Sequence, residues 1–338
     1  MNLFGYYLYQ DPVPDTRKSF SILLEFLGGL EMKEICVQLG CSSLDPEKHC
    51  FDGDSSYVTG SVENALVRLL GIDALEIRGL NLYYLRKSGF LRRLDYNLRK
   101  YLEPKLTRES IGIHKNLGFA ARDFLESILK EELVISFEKE VFDRYERPIV
   151  YLAAKDQDTY NIRLVRAGFA IPYFIYPNAV SPTEEGEFTY DVLEKFRDAA
   201  VEAKRTNLGI WEYINRILIP MELRFLTRRE LPAKYCADLK RNLLYSPQYY
   251  FKVPIENRLF FYPKDVLIAL QKKFNPTPDC DGWLHKVWNA LREGKGEIKG
   301  DILEDDVLEE DDEKVQPVRI EGVWQYRYCQ GLSYVQDN

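Results

Sequence analysis

The sequence predicts an α+β fold: a small five-stranded β-barrel with helices packed on it, extended at both ends. Two observations carry this. With 46% hydrophobic and 29% charged residues over 338 positions, the chain can bury a sizeable core. Between residues 51 and 212, short alternating runs and helical spacings follow in the order strand, strand, strand, helix, strand, strand, helix, helix. That order suits a sheet closed on itself and covered by helices.

Residues 1–48 read as an N-terminal extension, with helical spacing in TRKSFSILLEFLGGL and a short strand in KEICVQLGC. Residues 51–76 read as strands, rich in Val and Leu and punctuated by Gly60 and Asn64. Over 78–108, Leu91, Leu94, Leu98 and Leu102 recur at three and four residues, the spacing of an amphipathic helix. Nine Lys or Arg there oppose two acids. A second helix is read at 118–132, two strands around a polar turn at 134–154, a short helix in NIRLVRAGFA, and a helix over 190–212 closed by Leu208-Gly209. Residues 215–292 form an accessory α+β region. Residues 293–338 hold an acidic linker, with nine acids within 301–313, and a strand-like tail.

A net charge of −7 excludes a basic nucleic-acid coat, so any polyanion site must arise from local asymmetry. Six cysteines without a CxxC pair point away from zinc and towards reduced thiols in a cytoplasmic protein. MNLFGYYLYQDPVPD has no leader pattern, and no run approaches the about 18 apolar residues of a membrane span. His49, His114 and His285 fall at no metal-ligand spacing.

VRLLGIDALE, residues 67–76, is apolar yet carries Arg68, Asp73 and Glu76. Charges beside a core are costly unless paired. Either these three pair with one another, or they face a site that needs both signs.

FDGDSS, VRLLGIDALE, DRYERPIVYL, NIRLVRAGFA and EAKRTNLGIWE together resemble, in order, the segments of the staphylococcal nuclease (thermonuclease) family over residues 50–212. The resemblance implies an OB-fold barrel over 49–214, with a basic insertion at 78–113, and calcium-dependent hydrolysis of DNA or RNA. It implies that Asp54, Asp73 and the Ala74 carbonyl hold calcium, with Asp52 acting through water and magnesium or manganese as other possible ions. Glu76 matches the general base, and Arg68 and Arg147 match the arginines that grip the phosphate. Tyr145, Tyr173 and Tyr176 match aromatics placed against the base or the terminal phosphate, with barrel core or rim as the alternative. Three positions depart from the family: Ala74 stands for Thr, Leu75 for Pro and Glu146 for Gly.

The chemistry supports those assignments. Hydrolysis needs an aligned water and neutralisation of charge on the phosphoryl oxygens. Guanidinium groups donate parallel hydrogen bonds to phosphate, and a hard cation takes carboxylate oxygens. Arg144 is a further phosphate candidate beside the bland reading of a solvated turn. Arg92, Arg93, Arg99 and Lys100 of the insertion either track a phosphate backbone or face water on a packed hairpin. The acidic run either competes for that basic surface or is a tether. Competing readings are a non-catalytic module that binds nucleic acid or protein, and a scaffold acting through a protein partner of the C-terminal region. The sequence leaves oligomeric state open.

Overall fold

The computed structural model describes residues 34–294, apart from 44, 60–63, 79–80, 82–85, 87–88, 144 and 183–187, together with strand segments at 298–299, 302–303, 315–320 and 323–328. The expected N-terminal helix and the acidic run 301–313 lie outside the described residues, save for the two strand residues 302–303.

Five strands close into a barrel: β1 (Glu34–Leu39), β3 (Ser55–Thr59), β4 (Asn64–Leu69), β6 (Glu132–Ser136) and β7 (Ile149–Ala153). β2 (Cys50–Asp52) adds to β3 through a bulge. Antiparallel ladders join β1 to β6, β6 to β7, β3 to β4 and β1 to β3. β4 and β7 run parallel, with Arg68 opposite Ile149. Val58, Ala65, Val67, Leu69, Ile135, Val150 and Leu152 fill the interior.

The apolar run 67–76 is two strands rather than one. Gly71 takes φ 76°, and the chain turns there before β5 (Ile72–Ala74), which pairs with β8 (Ala170–Pro172). That left-handed conformation is open to glycine at little cost.

Helix α1 (Tyr96–Leu102) buries Leu98 and Leu102 and is capped by Asp95, whose carboxylate accepts from the Asn97 N–H at 2.7 Å. Helix α2 runs from Arg108 to Ile128, ten residues earlier than the sequence pattern placed its start. The Thr107 hydroxyl accepts from the Ser110 N–H at 3.0 Å, which fixes that earlier start. Helix α3 (Tyr160–Arg166) carries Asn161, fully buried. Its amide donates to the carbonyls of Leu70 (2.9 Å) and Val150 (3.1 Å) and accepts from the Leu152 N–H (3.0 Å). This one side chain ties β4 to β7 at their parallel junction. Helices α4 (Asp191–Arg205) and α5 (Ile210–Tyr213) complete the covering layer.

Residues beyond 214 add α6 (Pro220–Arg228), strands β10 (Tyr235–Asp238), β11 (Leu243–Tyr245), β12 (Arg258–Phe261) and β13 (Asn275–Pro276), and helices α7 (Val266–Gln271) and α8 (Gly282–Arg292). Their sheet takes in β9 (Phe174–Ile175), which pairs parallel with β12. One hydrophobic cluster runs from the barrel into this sheet. A second joins Phe90, Leu94, Leu98, Leu102 and Leu106 of the insertion to Leu223, Phe225 and Leu226 of α6. The tail strands 315–320 and 323–328 pair with each other. The described cysteines are free thiols, and no helix among the described residues is long and apolar enough to cross a membrane.

Asn161→Ala removes the side-chain partner of the Leu70 carbonyl and the Leu152 N–H, each loss costing about 1–3 kcal/mol, while the Val150 carbonyl keeps the Leu70 N–H. Chemical denaturation should show a loss of several kcal/mol with no change in m-value. A loss under about 1 kcal/mol would mean that Asn161 does not clamp the junction.

Candidate active site

Asp54 leaves the β2–β3 turn at the rim of the barrel. Glu126 of α2 fixes that strand, because its carboxylate accepts from the N–H groups of His49 and Cys50, each at 2.9 Å. Asp52 accepts from the Asp54 N–H at 3.2 Å. Asp54 is buried, its Oδ2 accepting from the Ala74 N–H at 2.7 Å and its Oδ1 paired with Arg68. The bond at Ala74 is therefore made through its N–H.

Arg68 also reaches Asp73 at 2.9 Å and donates to the Ile72 carbonyl at 3.1 Å. Burial lowers the Arg68 pKa, with Asp73 opposing that shift. Asp73 is fully buried. Of the five residues that the resemblance groups, Asp54, Arg68 and Asp73 meet directly.

A residue that the sequence reading missed completes the set. Arg224 of α6 forks onto Asp73, with Nη1–Oδ1 at 2.8 Å and Nη2–Oδ2 at 2.6 Å, and reaches Glu76 Oε1 at 3.1 Å. Its guanidinium lies 5.7 Å from the centre of the Tyr173 ring. Burial works against this charge, yet Asp73, by charge and hydrogen bonding, raises the Arg224 pKa overall. Burial raises the Glu76 pKa, with Arg224 opposing.

Glu76 sits on a loop held by α2. A Cβ at Gly118 would lie 2.6 Å from the Leu75 carbonyl, so only glycine permits this approach. His114 Nε2 lies 3.0 Å from the Glu76 N–H, and Nδ1 lies 2.9 Å from the Leu218 carbonyl. A backbone N–H only donates and a carbonyl only accepts, so the ring is neutral with its proton on Nδ1. Burial pushes the His114 pKa down to about 4.

Arg147 is held by Asp143, with Nη2–Oδ2 at 2.7 Å and Nε–Oδ2 at 2.8 Å. Its Nη1 is 3.4 Å from Ser55 Oγ, and Ser55 faces Arg68 across the β3–β4 ladder. Arg147 thus stands beside the cluster rather than within its ion pairs. Glu146, where the family pattern has Gly, takes φ 62°, a conformation costly for a residue with a Cβ.

Tyr145 is exposed and accepts from Arg228 of α6 at 2.6 Å. Tyr173 packs on Phe260 and Tyr176 stacks on Phe261, so both rings have a face against the accessory sheet. Arg144 lies outside the described residues. Arg92, Arg93 and Lys100 are exposed, and Arg99 is half-buried against Tyr96.

A calcium ion needs several oxygen ligands. In this arrangement both oxygens of Asp73 are taken by guanidinium groups, and those of Asp54 by Arg68 and a backbone N–H. Among the described residues no three carboxylate, imidazole or thiolate groups converge at metal-binding spacing. The donor set as arranged does not fit the metal.

Residues 66–213 match the family model described as staphylococcal nuclease homologue. The chain is 26% identical over 147 residues, 43% of its length, to "Endonuclease YhcR" of Bacillus subtilis (strain 168), covering 11% of that protein. It is 27% identical over 170 residues, 48% of its length, to "Uncharacterized protein MJ1439" of Methanocaldococcus jannaschii, covering 69% of that protein. The chain thus spans about a tenth of the first relative and about two thirds of the second.

His114 makes stability depend on pH. Its folded pKa of about 4 lies below the ordinary histidine value of 6.5, so the unfolded chain binds the proton more readily between those values. The contribution is complete above pH 6.5 and declines as pH falls towards 4, by up to roughly 3 kcal/mol. Denaturation of the wild type and His114→Gln across that window should show a shallower slope for the variant. Parallel slopes would remove His114 as the source.

Proposed function

We propose that this chain, whose residues 66–213 form a staphylococcal nuclease-like domain, is a nuclease that hydrolyses phosphodiester bonds of DNA or RNA. The observation that supports this best is the convergence of Asp54, Arg68 and Asp73 at the barrel rim, with Glu76 joined to them through Arg224.

In this reading Arg68 receives the phosphoryl oxygens, because a guanidinium keeps its charge and offers paired donors. Arg147 approaches from the β7 side, freed from Asp143 as the phosphate arrives. Glu76 aligns the attacking water and takes its proton as the water oxygen bonds to phosphorus and the bond to the leaving oxygen breaks. The leaving oxygen takes a proton from solvent. His114 and Gly118 hold the Glu76 loop from behind. Asp54 and Asp73, which the resemblance assigns to calcium, are neutralised here by Arg68 and Arg224 instead.

The insertion supports nucleic-acid contact as well. Its Leu94, Leu98 and Leu102 are buried while Arg92, Arg93 and Lys100 stay exposed, leaving a basic face for a phosphate backbone. One observation favours the alternative of a non-catalytic binding module: the carboxylates are already neutralised by Arg224.

Digestion of single- and double-stranded DNA and of RNA, with calcium, magnesium, manganese or EDTA, separates the two. Glu76→Gln should lower turnover at least 100-fold while oligonucleotide affinity persists; equal turnover would remove Glu76 from the reaction. Replacing Arg92, Arg93, Arg99 and Lys100 with Gln should weaken binding at low salt and flatten its salt dependence. Unaltered affinity would make the insertion purely structural.

A further inference from the structure

The cation that stands on the carboxylates of this site comes from outside the nuclease-like segment. Arg224 lies on α6, eleven residues beyond the matched span. Its fork engages both oxygens of Asp73 and one of Glu76, at 2.6–3.1 Å.

Packing fixes that position. The Glu222 carboxylate, fully buried, accepts from the Ile219 N–H at 3.0 Å, from Lys105 Nζ at 3.2 Å and from the Tyr250 hydroxyl at 3.2 Å. Lys105 is itself buried and bonds to the Tyr101 hydroxyl at 2.6 Å. The start of α6 is thereby locked to the insertion and the accessory sheet. Leu223, Phe225 and Leu226 are buried in the second hydrophobic cluster.

Arg224 and Arg228 are four residues apart and share one helical face. Arg224 grips the β5 side of the site, and Arg228 grips Tyr145 beside Arg147. One helix therefore spans both walls. The charges also nearly balance: Asp54, Asp73, Glu76 and Asp143 oppose Arg68, Arg147, Arg224 and Arg228, with Asp52 left over.

We propose that Arg224 is the resident cation of this site, standing on Asp73 and Glu76 where a divalent ion would otherwise bind. It is a positioning residue: it neutralises Asp73, orients Glu76 and excludes calcium from the pair while α6 is docked. A bound ion would need the same oxygens, so metal and Arg224 compete. The inference builds on the nuclease reading of the site, but its main test needs no cleavage.

Calcium chloride is titrated into the full chain by calorimetry, with wild type, Arg224→Gln and Arg224→Lys compared after thermal melting has checked folding. The wild type should take up no saturable calcium at millimolar concentration. Arg224→Gln, which drops the charge, should gain one site at least tenfold tighter, lost again on adding Asp73→Asn. If Arg224→Gln does not fold, Arg224→Lys is read instead: its ammonium cannot fork across Asp73 and Glu76, so it too should bind calcium more tightly than wild type. A one-to-one calcium site in the wild type, or a folded variant that gains none, overturns the proposal. In the cleavage assay, wild-type turnover should persist in EDTA and that of Arg224→Gln should come to require calcium. Cleavage by the wild type only with calcium overturns this inference and leaves the nuclease reading standing. Absence of cleavage under every condition does the reverse, provided the titration goes as expected.

Discussion

The structure turns on a single buried carboxylate. Asp73 has no exposure to solvent, and an ionised group there is tolerable only if its charge is matched. Two guanidiniums do this, Arg68 from the barrel and Arg224 from α6. Such pairs give little net stability, because desolvation offsets most of the attraction, yet losing one partner costs about 3–5 kcal/mol. The interaction therefore specifies where α6 docks more than it strengthens the fold. The second buried pair, Lys105 with Glu222, works the same way on the opposite face of α6. Between them the helix has one register and one orientation.

That docking changes what the barrel rim offers. The rim of Asp54, Arg68 and Asp73 is a two-signed site built from the barrel alone. With α6 in place it gains a second cation of fixed position, and Glu76 is held from two directions, by Arg224 at its carboxylate and by His114 at its N–H. The Glu76 loop is thus rigid at both ends of the side chain, which suits a group that must align a water molecule.

Much of the fold was legible because local patterns and global topology agree. Alternation marked the barrel strands, leucine spacing marked α1, Arg68, Asp73 and Glu76 stood out within one apolar stretch, and the family resemblance added Asp54 and Arg147 to them. Gly118, read as the start of α2, lies inside it, where it allows the close approach to the Leu75 carbonyl, and Thr107 supplies the true cap. Arg224 left no signal. It lies 151 residues from Asp73, and nothing in its surroundings marks it out among 46 basic residues. His114 likewise read as a lone histidine, since its partners are backbone groups of Glu76 and Leu218, which sequence does not reveal. Glu146 carried a subtler sign: the family pattern has Gly there, and the chain keeps the left-handed turn without it.

The pairing of β9, a strand of the nuclease-like segment, into the second sheet bears on how the polypeptide can be divided. Phe174 and Ile175 pair with Leu259 and Phe260. Ending the chain after Tyr213 would bare that strand's hydrogen-bonding edge and strip the cover from Leu94, Leu98 and Leu102. An open edge next to a greasy surface is a template for self-association. The nuclease-like segment is thus not a free-standing module here, since its strand edge and its leucines are covered by the residues that follow it.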